Sequence, residues 1–152
     1  MVLRSRNFTA QEMYRKESEF VPTDKIPYTY FLMGVIQTIR AILMYKFKRE
    51  ILLAVSSGYR SPEHNKSIGG AANSNHIWRS EADYMFCAVD IRPLNAELEQ
   101  CYLAIRSLHD TLGEVYLNKD KGCIHISVQG KKLEPTFVIE KKEEKIDDKK
   151  IN

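Results

Sequence analysis

The chain has 152 residues, 43% of them hydrophobic and 28% charged, enough for one globular domain with its own core and too few for two. With 23 Lys and Arg against 20 Asp and Glu, the net charge of +3 is too weak for binding driven mainly by phosphate neutralisation, so nucleic acid is not expected as a partner. Cys87, Cys101 and Cys123 are odd in number and form no C-x-x-C pair, which argues against a disulfide framework and against a cysteine zinc site.

The opening Met1 to Glu12 has basic residues but no apolar run behind them, so no secretory signal is expected, and synthesis would leave the product in the cytoplasm. Thr9 and Glu12 have the spacing of a capping box, which predicts a short helix from there to about Ser18. Pro22 and Pro27 mark a loop. From Tyr28 to Lys46, residues Phe31, Leu32, Val35, Ile36, Ile39, Ile42 and Leu43 recur at three- and four-residue steps, predicting the main packing helix. Gln37 and Arg40 interrupt this stretch, so it is read as a buried helix and no membrane anchor is expected. Glu50 to Val55 reads as a strand ending at Ser56-Ser57-Gly58.

Residues 56 to 80 are rich in Ser, Gly and Asn and are expected to form a long irregular segment, which a small domain rarely keeps without a use for it. Met85 to Ile91 is predicted as a strand. Pro93 to His109 is predicted as a helix with Leu94, Leu98, Cys101, Ile105 and Leu108 inward, and Glu114 to Leu117 and Cys123 to Val128 as two further strands. The order of elements implies an α+β domain over residues 1–139, a small antiparallel sheet packed against helices, acting as a monomer. A last strand is placed at Phe137 to Ile139. Residues 140 to 152 are dense in balanced charge and are read as a disordered tail.

Chemistry concentrates on few residues. His76 ends the polar segment, His125 lies inside a strand, and Asp90 closes the apolar run Phe86-Cys-Ala-Val-Asp90. A carboxylate at the end of an apolar strand must be desolvated unless a metal or a strong donor compensates it. Two imidazoles and a carboxylate make an open zinc site, in which three protein ligands leave one position for water.

The motifs Ser57-Gly-Tyr-Arg-Ser-Pro62, Asn65, Gly69-Gly70, Asn73-Ser74-x-His76, Ala88-x-Asp90-Ile91 and Ile124-His-Ile-Ser-Val128 resemble, in order, those of the D-alanyl-D-alanine carboxypeptidase-type zinc peptidases. That group includes phage endolysins and the hedgehog signalling domain. Asn7-Phe-Thr and Glu12 resemble the start of its short phage-encoded branch, so the likeness spans about residues 7 to 128. The resemblance implies that His76, Asp90 and His125 hold Zn²⁺. It implies that water activated there attacks a stem or cross-bridge peptide of bacterial peptidoglycan next to a D-amino acid, in phage lysis or wall remodelling. Arg60 matches the arginine of the S-G-Y-R motif and would pair with a substrate carboxylate or the developing oxyanion, or else order the loop. A product of this kind would act at the cell wall.

Two features depart from the family pattern. The usual spacing after the first His selects Asp83, whereas the Ala-x-Asp-Ile context selects Asp90. Asp90 is preferred, because Trp78 to Tyr84 reads as an inserted polar turn and Asp90 lies on a strand able to pair with that of His125. The acidic general base usual a few positions before the last His is missing, since Gly122 stands there. Asp120, five positions before His125 on the Asn118–Gly122 turn, is the first candidate base, and Glu114 on the preceding strand is the reserve, either as base or as a group orienting a ligand. Trp78 is read as a packing anchor, and Cys87 and Cys123 as core residues. The rival from another class is a zinc-binding recognition domain without turnover.

Overall fold

Apolar residues at three- and four-residue steps wind Ile26–Phe47 into one long helix, α1, with Pro27 in its first turn and Lys48 in the left-handed conformation just past its end. A computed structural model describes residues 7–14 and 22–131. Strand β1 (Leu53–Ser57), helix α2 (Pro62–Ser67) and the hairpin of β2 (Arg79–Glu81) and β3 (Tyr84–Pro93) follow. Helices α3 (Leu98–Ile105) and α4 (His109–Leu112) lead to strands β4 (Gly113–Asn118) and β5 (Cys123–Lys131). The strands form one antiparallel sheet in the order β1-β3-β5-β4, with β2 on the free half of β3. The architecture is α+β, a small antiparallel sheet against helices.

Strand alternation gives the sheet two unlike faces. Val55, Cys87, Val89, Ile91, Val115, Ile124 and Ile126 point to one side and share a buried cluster with Leu32, Met33, Ile36, Ile39 and Leu43 of α1 and with Cys101 and Ile105 of α3. By length and hydropathy Thr23–Phe47 would suffice to cross a membrane. Here Leu32, Ile36, Ile39 and Leu43 are fully buried against the core. Arg40, on the same helix, is buried because its guanidinium donates to the Ile51 carbonyl at 2.8 Å and pairs with Glu50 at 3.3 Å. A buried guanidinium is tolerable only when bonded in this way.

Several boundaries differ from the sequence expectations. After Thr9 the chain makes only a 3-10 turn, Ala10–Tyr14, in which the Thr9 amide donates to Glu12 Oε2 at 2.6 Å; residues 15–18 lie outside the described part. The first strand begins at Leu53 rather than Glu50, since the Ile51 carbonyl is taken by Arg40 and the Leu52 amide by Asn95 Oδ1 at 2.9 Å. Pro93 closes β3, and Leu94 is 57% exposed, not inward. Its amide bonds the Leu52 carbonyl, and this tie delays the helix to Leu98. That helix ends at Ile105, and a tight turn leads into α4. The irregular segment contains α2, whose Ser61 hydroxyl accepts from the His64 amide at 3.1 Å with Pro62 in the first turn, a favourable helix start. Phe31 is 40% exposed. The strand at Phe137–Ile139 and the charged tail lie outside the described residues.

Candidate metal centre

The second face of the sheet carries the polar residues. Asp90 of β3 stands directly opposite His125 of β5, and Tyr116 of β4 stands opposite His125 on the other side. Glu114 and Ser127, two residues along, share this face. In β1 an extra residue, Ser56, interrupts the register, so that Ser57 rather than Ser56 pairs with Asp90. Such a bulge twists the strand end and re-aims the chain that follows. That chain is Gly58-Tyr59-Arg60, and it holds the third residue of the cluster.

His76 is fixed by two bonds to this loop. Its Nδ1 lies 2.7 Å from the Gly58 carbonyl, and its own carbonyl accepts from the Arg60 amide at 2.8 Å. Gly58 is packed on the N-terminal turn, where a Cβ would stand 2.3 Å from the Met13 carbonyl oxygen; the Tyr59 amide bonds that same oxygen. Two residues past His76, Trp78 is fully buried, donates Nε1–H to the Ala88 carbonyl at 3.0 Å, and packs among Tyr14, Tyr28 and Tyr59. It is the packing anchor the sequence implied.

His76, Asp90 and His125 are therefore brought together, all buried, with candidate ligand atoms within 4.8 Å of one another. Asp90 Oδ1 lies 2.8 Å from His125 Nδ1 and 3.3 Å from His76 Nε2. Burial alone would raise the Asp90 pKa, but the bonds and charge of His125 and His76 outweigh it and hold the carboxyl well below the usual carboxylate range. A proton on His76 Nδ1, donated to Gly58, leaves the Nε2 lone pair facing a carboxylate oxygen. Two electron pairs at that separation need a cation between them, either a proton or a metal ion. A buried set of two imidazoles and one carboxylate is suited to zinc.

Glu114 Oε2 lies 3.4 Å from His125 Nε2, the ring nitrogen remote from Asp90. A carboxylate there keeps the proton on Nε2 and Nδ1 free as a donor of electrons, the arrangement common for metal-binding histidines. The Tyr116 ring stacks on the His125 imidazole, with centroids 4.5 Å apart and planes inclined by 23°. The sequence reading did not single out Tyr116. Counting back across the Asn118–Cys123 turn from His125 would have found it, because cross-strand partners share a face.

The other expected site residues are placed as follows. Asp83 is exposed in the β2–β3 turn, away from the histidines. Asp120 is exposed in the β4–β5 turn, and the carboxylate beside His125 is that of Glu114. Arg60 is half-buried and lines a cleft of about 290 Å³ together with Asp90, His64 and Lys121. Its guanidinium donates to Asn65 Oδ1 at 3.3 Å and Ser57 Oγ at 3.4 Å. Asn65 is buried and donates to the Ala71 carbonyl at 2.8 Å. A Cβ at Gly70 would sit 2.1 Å from Asn65 Oδ1, so this glycine makes room for the amide that steadies Arg60. Cys87 faces the core as expected. Cys123 does not: alternation puts it on the face of His125, where it is buried at the wall of the Arg60 cleft.

This donor set, on the polar face of a small sheet and beside the cleft lined by Arg60, could hold one metal ion. Residues 6–127 match the family model described as peptidase M15, and the chain belongs to that family, whose members are zinc-dependent peptidases of the D-alanyl-D-alanine carboxypeptidase type. No curated protein and no solved structure gives a match.

Proposed function

We propose that this protein is a zinc peptidase that hydrolyses stem or cross-bridge peptides of bacterial peptidoglycan next to a D-amino acid. The observation that carries the reading is the convergence of His76 and His125 on one carboxylate oxygen of Asp90. Those three residues would hold the ion. When bound, zinc supplies Lewis-acid chemistry, polarising a carbonyl and making water nucleophilic near neutral pH.

The remaining work falls to the chain. Arg60, steadied by Asn65 and Ser57, presents a planar cation at the wall that Asp90 shares, placed to pair with a substrate carboxylate or with the oxygen that gains charge as the peptide carbonyl is attacked. Glu114 holds the Nε2 proton of His125. Its partly exposed carboxylate also opens on the neighbouring cleft, on the far side of the ring from Asp90, so its part is to orient the ligand rather than to meet the attacking water. Tyr116 keeps the His125 ring plane fixed. The setting that goes with this reading is the bacterial cell wall, in phage lysis or wall remodelling, reached after synthesis in the cytoplasm.

The test is to load the purified protein with one equivalent of zinc and incubate it with peptidoglycan and with a soluble stem pentapeptide. Release of D-alanine or of new amino termini, abolished by a chelator and restored by zinc, is expected. Metal bound at one equivalent with no cleavage of either substrate would overturn the peptidase reading and leave a zinc-binding recognition domain.

A further inference from the structure

The segment between His76 and Asp90 does more than connect them. Arg79–Glu81 pairs with Tyr84–Phe86 to form a hairpin that extends the sheet past the metal centre. Between this hairpin and His125 lies a second cleft, about 370 Å³, on the side of the ring away from Arg60. Its inner wall is Glu114, Tyr116 and His125, and its outer wall is Arg79 and Phe86.

The outer wall is built rigidly. The Arg79 guanidinium lies over the Phe86 ring at 4.7 Å, donates through Nη1 to the carbonyls of Ser74 and Ile77, and pairs through Nε with Glu81 at 2.9 Å. Its Nη2 has no partner among the described residues. Between the walls, Asn75 Nδ2 donates to Ser127 Oγ at 2.7 Å and to Gln129 Oε1 at 3.3 Å. Both residues line the cleft, and this bonding leaves the Asn75 side-chain carbonyl oxygen and the Gln129 amide N–H with no partner among the described residues. An acceptor and a donor side by side match the N–H and C=O of a peptide unit, and a flat cation stacked on a ring adds a donor for a further carbonyl or carboxylate.

We infer that the β2–β3 hairpin is a substrate-binding element, and that the cleft between it and His125 takes an extended oligopeptide, the part of the substrate on the far side of the scissile bond from the group held at Arg60. This rests on the peptidase reading and adds where length specificity resides. Short substrates that end at the scissile bond do not reach the hairpin; longer stem peptides do.

The test uses the full zinc-loaded chain, an acylated D-Ala-D-Ala dipeptide as short substrate and a soluble stem pentapeptide as long one, with the variants Gln129→Ala and Arg79→Lys. Gln129 is exposed, so its removal leaves the fold intact. Lysine keeps a donor for the Ser74 and Ile77 carbonyls while losing the flat fork. Loss of one such bond is expected to raise KM for the long peptide about fivefold to tenfold, with kcat and the short substrate unchanged. Equal effects on both substrates, or no effect on either, would overturn the inference. Titration of the same proteins with the pentapeptide, followed by calorimetry, separates the two readings. If the wild type cleaves nothing yet binds the long peptide more tightly than Gln129→Ala, the peptidase reading falls and the cleft stands; equal affinities overturn the cleft whatever the turnover.

Discussion

In an Asp90→Asn variant the side chain keeps its shape and loses its charge, so the three groups that face one another in the metal centre would offer a dication two neutral imidazoles and a neutral amide. Loss of a group that merely supports a ligand costs about 10- to 100-fold in metal affinity, so about 100-fold is a conservative figure for a ligand itself. At a zinc concentration about 100 times the wild-type Kd, binding stabilises the native state by about 2.7 kcal/mol. For a domain of this size that corresponds to a rise in Tm of about 5–11 °C. At the same zinc concentration the variant stands at its own Kd and gains only about 0.4 kcal/mol, roughly 1–2 °C. The assay is thermal unfolding of chelator-stripped protein, followed by circular dichroism with and without zinc, with bound metal counted in parallel. Asp83→Asn, at the exposed hairpin turn, is the control and keeps the full shift. If Asp90→Asn retained both the shift and one equivalent of zinc, or if Asp83→Asn lost them, the proposed ligand set would be wrong.

Other outcomes follow from the same geometry. Glu114→Gln is expected to weaken zinc binding about 10- to 100-fold, read by competition with a chromophoric chelator, whereas Asp120→Asn, at an exposed turn, leaves it unchanged; undiminished affinity in Glu114→Gln would refute its part in orienting His125. Trp78→Ala empties a fully buried site and strands the Ala88 carbonyl, and urea unfolding is expected to show a loss of about 3–5 kcal/mol, with a value under 1 kcal/mol contradicting its role as anchor. Burial pushes the Cys87 thiol up to about 12 and raises Cys101 and Cys123 as well. Unfolded thiols ionise near pH 8.5, so the unfolded state binds fewer protons above that value and stability falls as pH rises from about 8.5 toward 12. Urea midpoints measured at successive pH values test this, and a flat profile between pH 8 and 10 would refute it.

The periodicities of the chain determined the long packing helix, the α+β order and the positions of the strands bearing Asp90 and His125, because hydrophobic spacing reports which face of an element is buried. The same text placed two imidazoles and a carboxylate on separate segments and, through the motifs around them, pointed to the zinc peptidase family. Local signals were weaker where side chains reached outside their own segment. Arg40 and Asn95 take the backbone groups of Ile51 and Leu52 and so move the start of β1, and the Leu94 amide tie to Leu52 holds back α3; neither is visible to a window of neighbouring residues. The ambiguity between Asp83 and Asp90 had the same origin. One-dimensional spacing counts residues, whereas the β2–β3 hairpin folds the extra ones out of the way and leaves Asp90 in register with His125. The cross-strand register decided that Glu114, and not Asp120 of the turn, stands beside that imidazole, since a strand presents alternate residues to opposite faces and a shift of one would exchange them all.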